Sequence, residues 1–132
     1  MERQQKIIEA IKSAISHLES SMQALVNRDE NGVAGSVWRA AAELEYTNFL
    51  FSIIQGESES RSWKLDPRSK QVEIGSLLVS AQDLLRKAEN GLDISELHEA
   101  YKQTWMARGY LLKIQEILEK RRKKGEKSSL AP

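Results

Sequence analysis

The chain has 132 residues, 40% of them hydrophobic, with 20 Lys and Arg against 19 Asp and Glu, 7 Gly, 2 Pro and no Cys. That length and apolar content suit one domain with a real core and exclude a chain disordered throughout. The lack of Cys excludes disulfides, Cys-ligated zinc, iron–sulfur clusters and thiol nucleophiles, and so few Pro and Gly argue against an all-β chain with many tight turns.

The chain opens Met1-Glu2-Arg3-Gln4-Gln5-Lys6, with no unbroken apolar run behind it, so no secretory signal is expected and the expected compartment is cytoplasmic. Ile8, Ile11, Ile15, Leu18, Met22 and Leu25 then step by 3, 4, 3, 4, 3, which is a helical seam. It predicts helix 1 over about residues 3–27, interrupted by the polar run Asn27-Arg28-Asp29-Glu30-Asn31-Gly32.

Helix 2 is predicted over 33–55. Val37, Ala41, Leu44 and Phe51 form one stripe, and Trp38, Ala42, Tyr46, Phe49 and Ile53 form another. Leu50 and Ile54 fall on a third side, so the second half of this helix is apolar nearly all round. Such a helix is central to its fold or covered by a partner. The most apolar run, Asn48 to Ile54, is far shorter than the roughly 20 residues needed to span a bilayer, so no membrane association is expected.

Gly56 to Leu65 is polar and reads as the long connection. Within it Trp63 stands between cationic neighbours, Arg61 and Lys64. It has two readings: a cap folded onto the bundle end, or an exposed anchor for a partner. Asp66-Pro67 marks a helix start, because Asp caps and Pro suits the first helical position. Helix 3 is predicted over 66–90 on Ile74, Leu77, Ala81, Leu84 and Ala88, widened by Leu78 and Leu85. Asn90-Gly91 is expected to end it.

Asp93-Ile94-Ser95-Glu96 resembles a capping box and opens helix 4, predicted over 94–124. Leu97, Ala100, Thr104, Ala107, Leu111, Ile114 and Leu118 give its apolar seam, and 125–132 is expected as a flexible tail. Gly75 and Gly109 lie inside predicted helices at a cost of roughly 1 kcal/mol each against Ala, which close helix approach or a kink would explain.

Short turns within 1–2 and 3–4 make each pair a helical hairpin. The predicted fold is all-α: a single antiparallel, up-down-up-down four-helix bundle over 1–124. The alternative closure is two chains intertwining as open hairpins.

Charge is asymmetric. Residues 119–127 hold six basic and two acidic side chains, a surplus of +4 that leaves the remainder at −3. The run Lys120, Arg121, Arg122, Lys123 and Lys124 suits phosphate, and basic charge at a helix C-terminus also complements the helix dipole.

Polar residues on apolar faces mark the other candidate site. Thr104, Arg108 and Gln115 fall within the apolar arc of helix 4, and Glu45 and Asn48 within that of helix 2. Glu45 and Arg108 both lie near helix midpoints, which predicts a buried or half-buried ion pair with Asn48, Thr104 and Gln115 nearby. It would fix helix register or line a pocket for a small ligand.

Metal and catalytic patterns are missing. Neither His17 nor His98 has a Glu three residues before it or a His four away, so no metal site and no cofactor are expected. Glu43 and Glu45 point to different sides of a helix, and no nucleophile elbow or phosphate-binding loop occurs. The expectation is a non-enzymatic interaction or self-assembly protein, a homo-oligomer or one with a protein partner, using Phe49, Leu50, Phe51, Ile53, Ile54 and Trp63. The second expectation is a nucleic-acid-associated subunit using the basic end of helix 4.

Overall fold

The computed structural model describes residues 2–55, 73–93 and 96–130. Among them are four α-helices and no strand: α1 (Glu2–Val26), α2 (Glu30–Gln55), α3 (Ile74–Asp93) and α4 (Leu97–Leu130). They form a four-helix bundle of two hairpins, α1–α2 and α3–α4, closed within one chain by packing of α2 on α4 and α1 on α3.

The first hairpin turns in three residues. Arg28 adopts a left-handed conformation at φ 57°. Its amide donates to the Leu25 carbonyl at 3.0 Å and the Asp29 amide to that of Ala24 at 2.8 Å, which closes the end of α1 with the paired bonds usual for a glycine there. Asp29 then caps α2, its Oδ1 accepting from the Gly32 amide at 3.0 Å. Asn31 and Gly32, read from sequence as turn, therefore belong to the first turn of α2. A Cβ at Gly32 would crowd the Asp29 carboxylate that caps the helix and stand 3.1 Å from Ala24 Cβ, so glycine leaves that cap undisturbed.

The core matches most of the predicted stripes. Val37, Ala41, Leu44 and Phe51 of α2, Leu77, Leu78, Ala81, Leu85 and Ala88 of α3, and Ala107, Leu111 and Ile114 of α4 are buried. In α1 the buried line is Ile7, Ile11, Ala14, Leu18 and Ser21, whereas Ile8, Ile15 and Met22 of the predicted seam are only half-buried. The helix is rotated toward its small residues. Ala14 and Ser21 are fully buried there, and the Ser21 hydroxyl is satisfied by the His17 carbonyl at 3.1 Å.

The end of α3 also differs from expectation. The helix continues through Gly91, which keeps helical backbone, to Asp93. The extra turn buries Leu92, whose carbonyl accepts from Gln4 Nε2 at 3.0 Å. The backbone of 125–130 is helical as the end of α4. The predicted Asp66-Pro67 start and Ile94-Ser95 of the predicted capping box lie outside the described residues.

Neighbouring helices are antiparallel, as predicted, but the second hairpin points the other way. Along the α2–α4 seam Glu30 meets Arg121, Glu45 meets Arg108, Asn48 meets Thr104 and Phe51 stacks on Tyr101, so these two helices run in opposite senses. Along α1–α3, Gln4 meets Leu92, Glu19 meets Arg86, and Gly75 lies against Leu25, again in opposite senses. The order is up-down-down-up, not up-down-up-down. The length of the link permits this order. The end of α2 and the start of α3 stand at opposite ends of the bundle, 18 residues apart at 56–73. An extended chain of that length reaches roughly 60 Å, more than the roughly 40 Å length of α2.

Candidate functional site

α2 places apolar side chains on two opposite sides. Its inward side packs the core, ending in Leu50 and Phe51, the latter stacked on Tyr101 with ring centroids 5.0 Å apart. Both had been expected at the interface, yet both are buried. They fall on the arc facing α1 and α4, and an apolar run of consecutive residues necessarily spans several sides of a helix.

The outward side carries Trp38, Tyr46, Phe49 and Ile53, exposed to 66%, 45%, 59% and 44%. With Ala42 they step by 4, 4, 3, 4, one continuous stripe on the face away from the core. Ile54 is partly exposed on the side toward α1. Beside the stripe α4 contributes Leu112, exposed, and Trp105, half-buried. In the sequence Trp38 and Tyr46 belong to the second stripe of this helix, and the run Phe49–Ile54 is the denser apolar signal. Trp63, the remaining interface candidate, lies outside the described residues.

The predicted polar cluster sits at the junction of this stripe with α4. Arg108 Nε and Nη2 both approach Glu45 Oε1. The Glu45 side chain is 57% exposed and that of Arg108 31%, so the pair is superficial rather than buried. One turn away, the buried Thr104 hydroxyl has Asn48 Oδ1 at 3.0 Å and the Tyr101 carbonyl at 2.9 Å as acceptors. Gln115 is not part of this group. It lies two turns further along α4, in an open groove with Trp38, Ala34 and Leu118.

The basic run is exposed along its whole length. Three of its members already hold carboxylates of the chain: Lys120 with Glu116 at 3.0 Å, Arg121 with Glu30 at 3.1 Å, and Arg122 with Glu119 at 2.6 Å. The Arg122 hydrogen bond, helped by the charges of Arg122 and Lys123, holds the Glu119 carboxyl below the usual carboxylate range. His17 is half-buried on the flank of α1, and His98 is exposed in the first turn of α4. Among the described residues no group of three His, Asp or Glu could hold a metal, and no helix is long and apolar enough to cross a membrane.

Among the described residues the surface offers a broad strip of aromatic and aliphatic area with the neutral Glu45–Arg108 pair at its middle. Comparison with protein-family models, with curated proteins and with solved structures found no match for this chain.

Proposed function

We propose that this chain is a non-enzymatic helical interaction protein that self-assembles through the outward face of α2, with Trp105 and Leu112 of α4 at its edge. One observation carries the reading: Trp38, Tyr46, Phe49 and Ile53 form a contiguous exposed stripe at helical spacing on the side opposite the core. Trp, Tyr and Phe are the residues enriched in protein interfaces, and a contiguous apolar patch rimmed by polar groups is the usual mark of one. The test is solution mass by light scattering at low and high salt, for the wild type and for Phe49→Glu. The wild type is expected above monomer mass at both salts, because apolar association is not screened. Phe49→Glu is expected to fall to monomer mass with unchanged helical circular dichroism. A wild-type chain at monomer mass, or equal masses for the two proteins, overturns the reading.

A second reading rests on the exposure of Lys120, Arg121, Arg122, Lys123 and Lys124 at one end of α4. Phosphate binding there has to displace the three carboxylate pairs. It would fall log-linearly with salt and disappear on deleting residues 120–132, measured by anisotropy of a labelled single-stranded RNA.

A further inference from the structure

We infer that the assembly is a twofold dimer in which α2 packs antiparallel on α2 of a second copy, with the axis passing between Glu45 and Tyr46. This rests on the self-assembly reading above and adds its geometry. A twofold interface must be self-complementary: where residue i meets j, j meets i. Four of the five stripe positions have that property about the 45/46 midpoint, which pairs Trp38 with Ile53 of the partner copy and Ala42 with its Phe49, while Tyr46 falls against Glu45 of the partner copy.

The sizes match as well as the spacing. The largest ring at the edge, Trp38, faces a branched aliphatic. Ala42 leaves the hollow that the opposite Phe49 fills, the large-to-small alternation that lets facing helices interdigitate. The α4 margin obeys the same symmetry, because Trp105 and Leu112 lie three and four residues to either side of Arg108, which is level with the axis through its contact with Glu45.

Charge permits this burial. The Glu45–Arg108 ion pair is internally neutral and stands at the centre of the stripe. Two copies about the axis bring two such pairs side by side, so neither copy buries an unpaired charge. The area is adequate. The exposed fractions of the stripe and Leu112 come to on the order of 500 Å² of apolar surface, and Ala42, Trp105 and the stems of Glu45 and Arg108 add to it, against about 800 Å² per partner in a stable interface.

The chain has no Cys, so engineered thiols report without background. Oxidised full-length Tyr46→Cys, with Glu45→Cys as the second variant at the axis, is expected to form a disulfide-linked dimer. Ala42→Cys and Phe49→Cys are each expected to stay unlinked alone, because their own copies stand about 10 Å apart along the helix, beyond disulfide reach. Mixed together, they are expected to link. A Trp38→Cys chain that links to itself means a parallel seating and overturns this geometry while the self-assembly reading stands. A dimer in which neither axis variant links, both remaining helical, also overturns the geometry alone. A wild-type chain at monomer mass overturns both.

Discussion

α1 and α2 form one hairpin, have 25 and 26 residues, and each buries one stripe, yet they present opposite surfaces to solvent. The outer side of α1 is Lys6, Glu9, Lys12, Ser16, Glu19 and Gln23. The outer side of α2 is Trp38, Ala42, Tyr46, Phe49 and Ile53. The inner stripe alone suffices to hold α1 in the bundle, so the outer apolar side of α2 is surplus to folding. That surplus separates a helix that only builds the fold from one that also offers a surface.

The largest expected effect tests this division within α2 itself. Phe51→Ala removes a fully buried ring stacked on Tyr101 and is expected to cost about 3–5 kcal/mol of stability, read from denaturant unfolding. Phe49→Ala, two residues earlier on the outer side, is expected to stay within about 0.5 kcal/mol of wild type when measured on dilute, unassociated chains. Similar losses at the two positions would erase the distinction between the faces.

The hinge of the hairpin gives the next effect. Arg28 holds a left-handed conformation that a Cβ disfavours, so Arg28→Gly is expected to stabilise by about 0.4–1 kcal/mol and raise Tm. A destabilised variant would show that the Arg28 side chain contributes more than its backbone costs.

The ion pair on the outer face comes below that. Glu45→Ala, Arg108→Ala and the double variant are expected to yield a coupling energy under about 1 kcal/mol in dilute solution, because both side chains are solvated. A larger coupling would mean the face is already covered under those conditions.

The smallest effect concerns Glu119, across the seam from the start of α2. Its carboxyl is held below the usual range in the folded chain, so its contribution is present above the ordinary carboxylate pKa and is lost as pH falls through the lowered folded value. The Tm difference between wild type and Glu119→Gln is expected at neutral pH and to vanish in acid. A difference that persists at low pH would point to shape rather than charge.

The Glu45–Arg108 contact was legible in the sequence although the expected helix directions were not those observed. Both residues lie near the middle of the predicted helices, 33–55 and 94–124, and reversing one helix leaves its middle level with its neighbour. Gln115, further from the middle, did not survive the reversal and lies with Trp38 instead. The superficial position of the pair was not legible, because exposure depends on how far two helices separate at their outer margin.

The amino-acid sequence by itself determined the four helices, both hairpins, most of the core stripes and the apolar excess of α2. These follow from a period of about 3.6 residues, which is local and reads out along one helix at a time. Only the tertiary structure decided the sense of the second hairpin, the rotation of α1 onto Ile7, Ala14 and Ser21, and which side of α2 was left outside. A helix that is apolar all round has no preferred inward face of its own. Its neighbours choose that face by close packing, and the length of the 56–73 link allows them to pack from either direction.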